Sequence, residues 1–204
     1  MAQQGKLSSD GIVATAMEMI DADGADSFSM RKLAARLGVD PMAIYHHHKS
    51  KAALMRAVVQ AMLSEFAAPA RTGDWRADLR AVSHAFRALA HAHPGTFAVY
   101  VQFEDDTPNE LRIYEAFYAP LHHAGFPPRI TVWGGWQVLA YCEGFAADEI
   151  DGWLEPFPQQ DLMARISEGD LPVTAALIDH VVSYEADAEF EFGLSLMIRG
   201  LESA

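Results

Sequence analysis

The sequence predicts an all-α protein, with an N-terminal three-helix unit built around a helix-turn-helix and a larger helical domain after it. Three observations carry that prediction. Apolar residues recur at intervals of three and four along most of the chain, and no alternating run is long enough to read as a strand. Residues 29–51, Ser-Met-Arg-Lys-Leu-Ala-Ala-Arg-Leu-Gly-Val-Asp-Pro-Met-Ala-Ile-Tyr-His-His-His-Lys-Ser-Lys, read as two short helices across a glycine turn, followed by the start of a third. Charge is also segregated. Between 29 and 56 six basic residues (Arg31, Lys32, Arg36, Lys49, Lys51, Arg56) face the single acid Asp40, a local net of +5 on a chain whose net charge is −13.

Taken in order, residues 1–7 read as a flexible tail. Ser8, Ser9 and Asp10 offer caps for a first helix over 10–22, whose stripe is Ile12, Val13, Ala16, Met19 and Ile20. Asp21-Ala22-Asp23-Gly24 ends it. Ser29 caps a helix over 30–37, where Met30, Leu33, Ala34 and Leu37 share a face. Gly38 stops this helix because it enters left-handed dihedrals without a Cβ clash. Asp40-Pro41 starts the next one. The aspartate caps free N–H groups, and proline at the first helical position loses no hydrogen bond. That second helix of the pair ends near 47–49. Ser50 caps a longer helix running to Phe66, with Leu54, Val58 and Met62 along one stripe and Met55, Val59 and Phe66 widening it. Phe28 is placed to pack beneath the pair.

Pro69, Thr72 and Gly73 mark a break. A helix over 74–92 then buries Leu79, Val82, Phe86 and Leu89. His93-Pro94-Gly95 reads as another break, followed by a short apolar stretch at 97–103. Residues 104–108 form a turn and cap for a helix over 108–124, with Leu111, Tyr114, Phe117, Tyr118 and Leu121 inward. Residues 129–147 read as a long, nearly all-apolar helix, and 148–172 as a loop carrying one short helix near 160–167. Two last helices are predicted at 173–183 and 187–202. The total is nine or ten helices in two domains, 1–66 and 67–204, with no internal repeat.

Composition bounds the function. Half of the 204 residues are hydrophobic, enough for a sizeable core. One cysteine, Cys142, excludes an internal disulfide and a cysteine-rich zinc module, and fits a reducing compartment. No apolar run approaches the roughly 20 residues that span a bilayer, and Met-Ala-Gln-Gln-Gly-Lys leads into no signal-peptide core. The expectation is a cytoplasmic protein that does not enter a membrane. Residues 1–66 are neutral overall and 67–204 carry the whole −13. An acidic second domain is repelled by polyanions, so it faces away from one and does another job. Gly-x-Ser-x-Gly, P-loop, dinucleotide and His-Glu-x-x-His signatures are absent, and no cofactor is called for. His46-His47-His48 does not read as a metal site, because adjacent helical residues point about 100° apart and ligand pairs need spacings of three or four. His122-His123 ends a helix, where imidazolium suits the dipole.

The stretch from Ile12 to Leu63 resembles the DNA-binding domain of TetR-family transcriptional regulators. The resemblance lies in Ser-Met-Arg-Lys-Leu-Ala, in Leu-Gly-Val at the turn, in Ile-Tyr-His-His, and in the Ser-Lys-x-x-Leu that opens the next helix. Ala52 departs from it, since the family often has Glu there. The resemblance implies DNA contact by Pro41, Met42, Ala43, Tyr45, His46 and Lys51, with Ile44 inward. Pro41, Met42 and Ala43 stand where base edges and thymine methyls lie, and Tyr45 and His46 can donate to phosphates. Ser29 and Arg31, at the start of the preceding helix, belong to the same expected DNA contact, where Arg31 can pair with guanine or phosphate.

The second domain concentrates aromatics: Phe86, Phe97, Tyr100, Phe103, Tyr114, Phe117, Trp133, Trp136 and Tyr141. Many are accounted for as plain core. A structural core rarely takes so many Tyr and Trp, whose polar ends need partners. The resemblance implies a ligand pocket here, lined by Phe86, Tyr100, Phe103, Tyr114, Phe117, Trp133 and the polar Gln137. The last helix carries Phe190, Gly193, Leu194, Met197 and Leu201 on one stripe, and Gly134-Gly135 permits close helix approach. In the resembled family these two helices pair with their copies across a two-fold axis. The sequence-level reading is therefore a homodimeric regulator, a repressor released from a palindromic double-stranded operator by a small apolar or aromatic inducer. Its alternatives are an all-α enzyme or small-molecule carrier with an incidental helix-turn-helix, and a regulator that needs no ligand.

Overall fold

A computed structural model describes residues 7–102, 107–152 and 159–203. Every regular element among them is a helix: α1 (Ser9–Asp23), α2 (Met30–Leu37), α3 (Pro41–His47), α4 (Lys51–Ser64), α5 (Trp75–Ala92), α6 (Pro94–Tyr100), α7 (Pro108–His123), α8 (Pro128–Ile150), α9 (Gln159–Glu168), α10 (Pro172–Ala176), α11 (Ile178–Val181) and α12 (Ala186–Glu202). The count exceeds the expected ten at two places. His93-Pro94-Gly95 turns the chain and at once restarts a helix, because proline suits the first helical position. The helix expected over 173–183 is two short ones, interrupted at Leu177. Residues 1–6 of the expected tail, Phe103, most of the turn before α7 and residues 153–158 of the long loop lie outside the described residues.

The chain forms two compact units, 1–143 and 144–204. The domain boundary expected at 66/67 falls inside the first. There α1 packs on α2, α4 and α6, α2 on α3, α4 on α6 and α7, and α5 on α7. Phe86 is the hub of the core, packed edge-to-face on Phe66, Phe97, Tyr100 and Phe117 at centroid separations of 6.5, 5.8, 6.4 and 5.9 Å. In the second unit Phe190 of α12 is fully buried and meets Phe145 edge-on at 5.3 Å. Leu194 and Ile198, one and two turns on, continue that buried face.

Candidate nucleic-acid interface

Each helix of the N-terminal bundle starts on a side-chain cap. Ser8, Ser29, Asp40 and Ser50 accept from the backbone N–H of Gly11, Lys32, Met42 and Ala53 at 3.1, 3.2, 2.8 and 3.0 Å. Gly38 sits in the left-handed region (φ 68°, ψ 32°), and the amides of Gly38 and Val39 return to the carbonyls of Ala35 and Ala34. This closure turns α2 into α3. Ile44 alone of α3 is buried among the helix's residues, so the orientation of this short helix hangs on one anchor. A second tie follows: His48, buried, shares a hydrogen bond with Ser9 Oγ at 3.1 Å, fastening the end of α3 to the start of α1.

With Ile44 inward, Met42 is 62 % exposed and His46 is exposed, while Pro41, Ala43 and Tyr45 are half-buried on the flanks. Arg31 is exposed on α2, two residues beyond the half-buried cap Ser29. Lys51 is exposed, yet its Nζ donates to the Phe28 carbonyl at 3.1 Å and lies 5.6 Å from the Phe28 ring centroid. That lysine secures the base of the bundle as well as charging it. Ala52, the family departure, leaves the Ser50 cap intact.

In the second half the expected aromatic residues divide. Phe86, Tyr100 and Phe117 are buried together around the hub, and Tyr114 is half-buried, 5.5 Å from Trp136. Trp133 and Gln137, one turn apart, lie on the exposed face of α8 instead, with Arg129 stacked 4.8 Å over Trp133. Phe103 lies outside the described residues. The sequence reading missed the acids that meet these rings. Tyr100 Oη donates to Glu143 Oε1 at 2.6 Å, and Tyr114 Oη to Glu110 Oε1 at 3.0 Å. Burial pushes the Tyr100 hydroxyl well above its ordinary value, and Glu143 adds to that. Burial also raises Glu143, against the lowering effect of the Tyr100 hydrogen bond, and the charge of Glu110 raises it further. The signal available in sequence was the spacing of four between Glu110 and Tyr114 on one helix; the Tyr100–Glu143 pairing spans 43 residues and leaves none. Cys142 is buried and its thiol pushed up to about 12 by that burial, against a lowering contact from Ser83, so it behaves as a core side chain.

The residues expected at a subunit interface are also divided. Gly134, Phe190 and Leu194 are buried within the chain, and Met197 and Leu201 are half-buried. The apolar side chains turned outward are Phe192 and Leu196 on α12, 65 % and 49 % exposed, and Val132, Trp133 and Trp136 on α8. Next to Gly134, Gly135 lets α8 approach α7. A Cβ there would stand 2.5 Å from Tyr118 Cδ1 and 3.0 Å from the Phe117 carbonyl oxygen.

A capped helix-turn-helix with its second helix turned outward in a locally basic stretch, joined to an aromatic-rich helical half, defines a DNA-binding transcriptional regulator. The chain belongs to the TetR family: the family described as "Bacterial regulatory proteins, tetR family" matches residues 12–58, and "Tetracyclin repressor-like, C-terminal domain" matches residues 68–204. Tetracycline repressor protein class C of Escherichia coli is 27 % identical over 202 residues, covering 97 % of this chain and 91 % of that protein. A possible TetR-family regulator from Streptomyces coelicolor A3(2) superposes with a TM-score of 0.84 at 27 % identity, covering 96 % and 99 % of the two chains. A TetR variant from Acinetobacter baumannii AYE, solved in complex with minocycline, gives 0.69 at 28 % identity, covering 97 % and 98 %. Among the described residues no helix is long and apolar enough to cross a membrane.

Proposed function

We propose that this chain represses transcription as a cytoplasmic homodimer on a palindromic operator, and leaves the DNA when a small apolar or aromatic ligand enters its second half. It acts by binding, without turnover. The observation that carries the reading is α3, capped by Asp40, anchored by Ile44 and presenting Met42 and His46 outward from the one basic region of an acidic chain. The relative named a tetracycline repressor supports the direction of control. The relative solved with minocycline supports an aromatic ligand.

The mechanism needs two arrangements of the dimer. One sets the two copies of α3 about 34–36 Å apart, one turn of B-DNA. A ligand that binds better to a wider or rotated arrangement shifts the population by its affinity ratio, typically about 1–3 kcal/mol of coupling. The ligand-facing groups in this reading are Tyr100, Tyr114 and Phe117 with the acids Glu110 and Glu143. Trp133 and Gln137 stand with the outer face of α8 and are assigned to the dimer contact, together with Phe192 and Leu196.

Selection of bound duplexes from a random pool tests the proposal, with a two-fold-symmetric motif as the expected result. On the recovered duplex, Arg31→Ala and Tyr45→Ala should each cost about 1–3 kcal/mol if they touch bases. An unchanged affinity for both, measured by fluorescence anisotropy, overturns the assigned reading surface. An enzyme or carrier would instead show weak duplex binding without the steep salt dependence of roughly 0.9 log units per phosphate contact.

A further inference from the structure

His93 stands between α5 and α6, and its side chain makes no capping hydrogen bond to α6. It reaches across to the DNA-binding bundle instead. Nδ1 lies 2.9 Å from Asp21 Oδ2 near the end of α1, and Nε2 lies 3.0 Å from Glu65 Oε2 just past the end of α4. The second oxygen of Asp21 accepts the Thr96 amide at 2.7 Å. Gly95 presses against the same place: a Cβ there would collide with the Ile20 carbonyl oxygen and crowd Asp21 Cα at 3.0 Å. One imidazole thus joins the first turn of α6 to both long helices of the bundle. These are the helices that position α3, since α1 is tied to it through Ser9–His48 and α4 follows it directly.

We propose that His93, in its protonated form, is the positioning residue that fixes the DNA-binding bundle to the ligand-binding half, so that operator affinity depends on the proton it carries. A neutral imidazole has one N–H and one lone pair, so between two carboxylates it satisfies one and repels the other. Only the imidazolium donates to both. Burial of the ring opposes the charge, but the hydrogen bonds and charges of Asp21 and Glu65 outweigh it and the group is held above its ordinary range. The charges acting on it come from α1 (Asp21) and the end of α4 (Glu65). The titratable group of α5 next to it in sequence is His91, exposed two residues back, and α6 carries no charged residue. The contact is therefore complete below about pH 6.5 and is lost as pH rises through the elevated value. Once it is lost the bundle is less ordered, and binding two half-sites at fixed spacing must restore that order at the expense of affinity.

The inference rests on DNA binding by the bundle. Its test measures affinity for the selected operator from pH 6 to 9 at fixed ionic strength, for the wild type, Glu65→Gln and His93→Gln. Glu65 is half exposed, so its amide variant keeps the fold and removes the repulsion that a neutral imidazole meets. The wild type should lose about three- to tenfold more affinity across this range than either variant, where tenfold is about 1.4 kcal/mol. Every other residue is the same in all three proteins, so contributions from elsewhere cancel in the comparison. Parallel profiles within twofold overturn the proposal. Hydrogen exchange at the Thr96 amide, corrected for intrinsic rate, reads the joint without DNA. Protection should fall at high pH in the wild type, and protection independent of pH overturns the proposal as well. Loss of operator binding at every pH, with the exchange result intact, would instead count against the DNA interface.

Discussion

Asp40 shows how much one side chain can decide. The helix that it caps has seven residues, so about half of its amides lack an intrahelical partner. Its carboxylate takes one of them at 2.8 Å, and Pro41 removes another from the account. Asp40→Ala should cost about 1 kcal/mol of stability and should weaken operator binding further than Ser50→Ala, because α4 is twice as long and well buried. Chemical denaturation alongside anisotropy checks this; equal operator affinities for the two variants would contradict it. The caps, the Gly38 turn and the outward face of α3 were all legible, because each is set by residues within a few positions of one another. Glu143 was not. Its environment is built by Tyr100 and Glu110 from other helices, and burial, Tyr100 and Glu110 together leave its carboxyl above the usual range. A carboxyl held higher in the folded state than in the unfolded one draws stability down as pH rises past its unfolded value of 4.5. Glu143→Gln should therefore raise the urea midpoint at pH 8, with the gain shrinking toward pH 4. A variant less stable at both pH values would show that the carboxylate is a net stabiliser.

At the scale of elements, the sequence located helices better than it oriented them. Ends written in caps and breakers fell within a few residues, as at Ser29, Gly38, Ser50 and Asp74. The start of α6 did not, because His93-Pro94-Gly95 carries the signature of a break and of a helix start at once. Faces were hardest where a helix is apolar all round. On α12 the stripe through Phe190 and Leu194 was expected at a partner, yet it turns inward, while Phe192 and Leu196 face out. Periodicity cannot choose between two apolar faces of one helix. On α8 a small residue decides the approach to α7. Gly135→Ala would place a methyl 2.5 Å from the Tyr118 ring and 3.0 Å from a backbone oxygen, and a helix backbone yields less readily than a side chain. The expected cost is about 1–3 kcal/mol, seen as a lower urea midpoint. Gly144→Ala, nine residues on in the same helix, meets nothing within 4 Å and serves as the control, where alanine's helix propensity should make it neutral or slightly stabilising. Equal effects at the two positions would argue against close helix approach.

For the whole molecule, the outward apolar faces call for a cover. Trp133 and Trp136 are 58 % and 45 % exposed on α8, and Phe192 and Leu196 more than or nearly half exposed on α12. Large apolar side chains concentrated like this on two helices mark association surfaces. In the proposed dimer the occupant is a second copy, since a two-fold operator would be matched by a two-fold protein that brings the same faces. Burying one such side chain contributes about 1.5–3 kcal/mol. Under two-fold symmetry a double substitution removes four of them, so about 6 kcal/mol or more of association free energy is at stake. Trp133→Asp with Trp136→Asp, and separately Phe192→Asp with Leu196→Asp, should each give a folded monomer by sedimentation and circular dichroism. Operator affinity should fall at least about 100-fold, as one half-site is left to hold one bundle. Leu194→Asp is the counter-test, because Leu194 is fully buried within its own chain and an unpaired charge there should unfold the protein rather than split a dimer. If both outward pairs left a folded dimer intact and Leu194→Asp gave a folded monomer, the partner would lie on the inward stripe after all, and the orientation of α12 described above would have to be reversed.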